Sequence, residues 1–109
     1  MWIGHNKGWL SIVAHRDKPE YLLVRARKPE HITEIWKNAD VYENENADYY
    51  YRADILRQEV ARIIGYTIVD INYDNFKNSV KDWELGTAYS KVWTVMFDYG
   101  WGWYDEVEN

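Results

Sequence analysis

Guanidinium groups recur in this chain beside flat rings, a combination suited to gripping anions and stacking on planar partners. Arg25 and Arg27 stand two apart at the end of the run Tyr21-Leu22-Leu23-Val24-Arg25-Ala26-Arg27, so in an extended segment both project from one face. His15 closes the earlier run Trp9-Leu10-Ser11-Ile12-Val13-Ala14-His15, and alternation puts it on the same face once the two runs pair. A third run, Tyr49 to Ile55, adds either Tyr50 and Arg52 or Tyr49 and Tyr51. Arginine forks pair with carboxylates and phosphates and lie flat on rings, so such a face fits an acidic protein surface, a phosphate or a stacked base. A solvated sheet face held by cation–π pairs would use the same residues.

Other constellations carry less. In Tyr73-Asp74-Asn75-Phe76-Lys77-Asn78-Ser79-Val80, Lys77 and Ser79 could contact an anion, or Asn75 could cap a short helix whose Phe76 and Val80 plug the core. Trp101, Trp103 and Tyr104 surround Gly102, either as a flap over the core or as an aromatic anchor. Asp105, Glu106 and Glu108 beside them would steer a basic partner. The run Asp70-Ile71-Asn72-Tyr73-Asp74 imitates the opening of a calcium loop but meets Asn75 where glycine is required and Lys81 where a bidentate glutamate must sit. His5, His15 and His31 fall in separate elements without zinc-ligand spacing. Ser11 and His15, four apart on a strand, lie about 13 Å from each other, too far for a nucleophile and its base. Glycine-rich phosphate loops and nucleophile elbows are missing from the sequence, and Glu43 and Glu45 read as solubilising. The expectation is therefore no catalytic residue, no metal and no cofactor.

The elements that must position the arginines follow from periodicity. The first two runs form a hairpin across Arg16-Asp17-Lys18-Pro19-Glu20, with Leu10, Ile12, Ala14, Leu22, Val24 and Ala26 on its apolar face. Pro29 opens a short helix through Ile32, Ile35, Trp36 and Ala39. After the polar stretch 43–48 comes the third strand, and from Arg57 a helix with Val60, Ile63, Ile64, Thr67, Ile68 and Ile71 on its stripe. Residues 72–82 read as a turn with a short helical piece. Leu85, Ala88, Tyr89, Val92, Trp93, Met96 and Phe97 then keep helical spacing without a miss, which predicts a four-turn helix packing on the sheet and ending at Gly100. The order ββαβαα predicts a two-layer α+β domain, a small antiparallel sheet with helices on one face.

With 109 residues the chain is one domain, its core about 9–99 and residues 100–109 an aromatic and acidic tail. Seven Trp and ten Tyr exceed what a core of this size takes in, which leaves rings for a surface that meets a partner. The net charge of −5 opposes non-specific nucleic-acid binding, and the lack of cysteine excludes disulfides and thiolate metal sites. No stretch has membrane-helix length or signal-peptide character, so the expected setting is the cytosol, with no membrane partner.

The segments Val13-Ala14-His15-Arg16, Leu23 to Arg27, Ala47-Asp48-Tyr49 with Tyr51-Arg52, Tyr73 with Asn75-Phe76-Lys77 and Ser79-Val80, and Ala88-Tyr89 with Val92-Trp93 together resemble a group of small uncharacterised proteins of bacterial and phage genomes. The resemblance spans roughly 10–97 and is most specific over Tyr73 to Val80; the N-terminal residues and the Trp-rich tail depart from it. It implies a phage setting and no defined activity. The resulting expectation is a binding protein, not an enzyme, that docks on a host protein, as an inhibitor of host defence does. His15, Arg25, Arg27, Tyr50, Arg52, Lys77, Trp101 and Trp103 are the candidate contact residues. The alternative is a binder of a phosphorylated small ligand such as a cyclic nucleotide through Arg25, Arg27 and Arg52, for which a homodimer interface is one setting.

Overall fold

The computed structural model describes residues 1–102. In chain order the elements are β1 (Trp2–His5), β2 (Gly8–Ala14), β3 (Tyr21–Ala26), α1 (Glu30–Thr33), β4 (Tyr42–Glu43), β5 (Tyr51–Leu56), α2 (Arg57–Val69), α3 (Phe76–Ser79) and α4 (Trp83–Gly100). The strands form one antiparallel sheet in the order β1-β2-β3-β5-β4. This is the two-layer α+β arrangement that the sequence predicts.

Register explains the core. Leu10 stands opposite Ala26, Ile12 opposite Val24, and Val24 opposite Ala53 on its other side, so alternation delivers one apolar face. Ile32 of α1, Ile35 and Trp36 in the turn after it, and Val60 of α2 seal that face, with Ile63 and Ile64 at its margin. Each such side chain contributes on the order of 1.5–3 kcal/mol by leaving water. Closest approach is at Gly8, where an added Cβ would lie 2.6 Å from His31 Cβ and 2.7 Å from its Cα, so only glycine lets α1 sit this tightly on β2.

The sheet is wider than expected. Residues read as an N-terminal extension form β1, joined to β2 by the two-residue turn Asn6-Lys7. His5 Nδ1 closes that turn by accepting the Lys7 N–H at 3.0 Å. Four residues alternate too briefly to register as a strand, and β4, at two residues, is shorter still. The third strand starts at Tyr51, two residues later than expected, because pairing with β3 begins there, at Ala26.

The long helix departs most from expectation. Asp82 caps α4, its Oδ1 accepting the Leu85 N–H at 3.0 Å, and Leu85 and Tyr89 are buried. The Tyr89 hydroxyl reaches across to the β1–β2 turn, 2.8 Å from the His5 carbonyl and 3.0 Å from that of Gly8, and donates to them. Beyond Tyr89 the apolar side chains stay open to solvent, as do Ile68, Val69 and Ile71 at the end of α2. The physical reason is occupancy: α1 and α2 already cover the apolar face, and helical spacing specifies a sticky side without specifying what covers it. The helix also runs through Gly100 and caps at Trp101, with the left-handed turn at Gly102, φ 76°. Among the described residues no helix is long and apolar enough to cross a membrane.

Candidate binding face

A single row of residues crosses the side of the sheet opposite the apolar core, the side that α4 meets at the β1–β2 end, where the Tyr89 ring lies against Gly4 and Trp9. Ser11 on β2, Arg25 on β3, Arg52 on β5 and Tyr42 on β4 are successive cross-strand partners. Arg25 Nη2 donates to Ser11 Oγ at 2.6 Å. Arg25 and Arg52 stand directly opposite each other, a like-charge pair that costs a few tenths to about 1 kcal/mol on its own. Among the described residues neither has a carboxylate within ion-pairing distance, and the Nε–H of each is shielded from solvent without an acceptor.

Tyr49 lies buried beneath this row, its ring 4.9 Å from the Arg25 guanidinium carbon and 4.1 Å from that of Arg27. Arg27 is tethered further, Nη1 donating to the Asp48 carbonyl at 2.7 Å and to Asp48 Oδ1 at 3.2 Å. The ring thus holds two forks flat, which lowers the entropy cost of engaging them.

One step along the strands, Asp54 gathers three donors: Tyr42 Oη at 2.6 Å, His15 Nε2 at 3.0 Å and Lys18 Nζ at 3.2 Å. Burial alone would raise the Asp54 pKa, but the hydrogen bonds from Tyr42, Lys18 and His15 outweigh it and hold the carboxyl below its usual range. Burial and the Asp54 hydrogen bond push the Tyr42 phenol up to about 12. His15 Nδ1 accepts the N–H groups of Asp17 and Lys18 at 3.1 and 3.0 Å, so its proton sits on Nε2, toward Asp54. This histidine fastens the β2–β3 turn.

Of the residues singled out from sequence, Arg25, Arg27 and Arg52 come together and His15 joins them through Asp54. Tyr50 sits at the rim, its phenol donating to Glu43 Oε2 at 2.9 Å. Lys77 and Trp101 lie apart from the row: Lys77 Nζ is 4.9 Å from the Trp93 ring, and Trp101 is exposed near Phe97 on α4. Trp103 falls outside the described residues. Asp54 is not singled out by the sequence, Tyr49 enters there only as one of two alternatives for the third strand, and Ser11 only as a nucleophile, although pairing of the hairpin strands sets it opposite Arg25.

The row is flat. Arg25, Arg27 and Arg52 line none of five open clefts of about 400 to 530 Å³ among the described residues. One, of about 420 Å³, is aromatic, with Trp9, Phe76, Tyr89 and Trp93 around Gly4. Among the described residues no group of three or more acidic or histidine side chains is placed to hold a metal ion. No family model, curated protein or solved structure matches the chain.

Proposed function

We propose that this is a non-enzymatic binding protein that docks on another protein through the Arg25–Arg52 row, and that it acts as an inhibitor of a host protein. One observation carries the reading: among the described residues, two arginines stand directly opposite each other across β3 and β5 without a carboxylate partner. Such a pair is costly alone and becomes favourable when carboxylates of a partner engage it. That Arg25, Arg27 and Arg52 line none of these five clefts supports a protein surface over an enclosed small ligand, because small-molecule sites are concave. The inhibitory role comes from the resemblance to phage proteins and from the lack of catalytic spacing in the sequence.

The test is affinity capture from a bacterial host lysate with wild-type chain and with an Arg25→Gln/Arg52→Gln variant checked by circular dichroism. A retained protein that the folded variant loses, and that elutes early as salt rises, is the expected result. Equal retention by both removes the row from the function.

A second reading rests on the same lack of a paired carboxylate among the described residues, because a phosphorylated ligand would neutralise Arg25 and Arg52 as a carboxylate would. Thermal shift against a nucleotide panel separates the two, since a ligand at a hundredfold its Kd stabilises by about 2.7 kcal/mol. The docking reading expects no shift.

A further inference from the structure

One edge of the sheet is left with backbone groups unpaired. The Ile12 N–H donates to the Met1 carbonyl at 2.8 Å, and bonding alternates along an antiparallel ladder, so Met1, Ile3 and His5 direct their backbone groups at β2. Trp2 and Gly4 lie between them and turn their N–H and C=O groups the other way, off the edge. The Trp9 N–H agrees with this parity: Trp9 stands opposite Gly4, and its N–H points away from β1 to reach His31 Nδ1 at 3.2 Å. Among the described residues the outward groups of Trp2 and Gly4 have no hydrogen-bond partner. Glycine has only backbone to expose, and Gly4 is exposed, so the edge is open there.

The two edges of the sheet differ. β4, at the far edge, is two residues long and carries Glu43, and shortness and charge both keep an edge from pairing with another chain. β1 has four residues, Trp2-Ile3-Gly4-His5, with no proline, lysine or acidic side chain among them. A strand added to it meets two requirements. Opposite Ile3 its side chain points to the core side of the sheet, where a cleft of about 490 Å³ opens along β1 with Ile64, Ile68 and Ile71 on its wall, so an aliphatic residue fits. Opposite Gly4 its side chain falls on the other side, where the missing Cβ leaves room beside the Tyr89 and Trp9 rings, 3.6 and 3.8 Å from that position, so a flat ring fits.

We propose that this strand is β1 of a second copy of the chain, the two edges pairing antiparallel about a two-fold axis at Ile3 and joining two five-stranded sheets into one. What selects this occupant is that Trp2-Ile3-Gly4 is its own complement. Run antiparallel, Ile3 of each copy falls opposite Ile3 of the other, and Trp2 of each falls opposite Gly4 of the other. The backbone matches as well, because Trp2 and Gly4 are the residues with outward groups on both sides, and each Trp2–Gly4 pair exchanges both of its N–H···O bonds. Trp2, 70% exposed in the single chain, thereby gains the space that glycine leaves. The chain carries −5 overall, yet residues 1–6 hold no Asp, Glu, Lys or Arg, so no like-charged side chains face each other across the seam. A two-fold contact is closed, so it uses up both edges and leaves none for a third copy.

The arginine row runs over β2, β3, β5 and β4 and the seam lies on β1, so either reading can fail without the other. Light scattering on the full chain expects a mass that rises with concentration toward twice the 13.2 kDa monomer at tens of micromolar. Gly4→Pro removes one outward N–H and leaves every β1–β2 hydrogen bond in place, so it should stay monomeric with unchanged circular dichroism. Ile3→Cys gives a second measurement that decides alone if Gly4→Pro fails to fold. The chain has no cysteine, and Cα atoms facing each other in a pair of this type lie about 4.5 Å apart, within disulfide reach. Mild oxidation should link Ile3→Cys into a dimer within minutes and leave Arg16→Cys, on the β2–β3 turn, unlinked. A monomeric wild type together with no Ile3→Cys link overturns the proposal, as does association that folded Gly4→Pro retains. So does association that appears only when residues 103–109 are deleted, because that segment and not a second copy would then occupy the edge.

Discussion

Acid reaches this molecule through imidazoles before carboxylates. His5, His15 and His31 each accept a backbone N–H at Nδ1, from Lys7, from Asp17 and Lys18, and from Trp9, at 3.0 to 3.2 Å. Burial lowers the pKa of His5, aided by the Lys7 charge, and burial likewise lowers that of His31. The unfolded chain, titrating near 6.5, therefore takes up protons that the folded chain refuses, so stability is complete above that pH and declines as pH falls through it. Asp54 has the same sign in a lower window: its folded pKa lies below 3.8, so its contribution is present above 3.8 and is lost on further acidification. Urea midpoints from pH 8 to pH 3 should show both declines. A profile flat down to pH 5 contradicts the histidine assignment. Asp54→Asn strips a charged acceptor from three donors and should cost about 1–3 kcal/mol, measured by urea unfolding at pH 7.

At the scale of elements, the joint between α1 and the β1–β2 hairpin is the most demanding. Gly8→Ala forces a methyl against the backbone of His31 and should cost on the order of 1–3 kcal/mol, visible as a lowered Tm. Tyr89→Phe removes the hydroxyl that ties α4 to the hairpin turn; about 1–3 kcal/mol and faster chymotryptic cleavage within α4 are expected, and unchanged cleavage would deny the tether. The same elements explain what was legible. Alternation placed Leu10, Ile12, Val24 and Ala26 correctly because both hairpin strands are long enough to carry a period. Asn75 was readable as a cap because its reach is local, its Oδ1 accepting the Asn78 N–H at 3.1 Å. The β1 strand and the Tyr49 cushion were not, since pairing to β2 and packing beneath two guanidiniums depend on residues far along the chain. The arginine pair was half legible: parity gave Arg25 and Arg27 a common face, while joining Arg52 to them required the β3–β5 register.

Considered whole, the protein divides its labour between a sealed face, an open charged face and a projecting apolar arm. Trp36 is 4% exposed inside the sealed face, whereas Trp83 is 80% exposed and Trp2 70%, with Trp93 and Trp101 also open. The described indoles thus range from wet to sealed, with Trp9 half-buried between the extremes. Emission from the described indoles should be dominated by the wet population, lie toward the red and be quenched readily by acrylamide, leaving a bluer residue from buried Trp36 and half-buried Trp9. Any event that covers the exposed indoles will announce itself as a blue shift in unlabelled protein, which gives a spectroscopic readout without a dye.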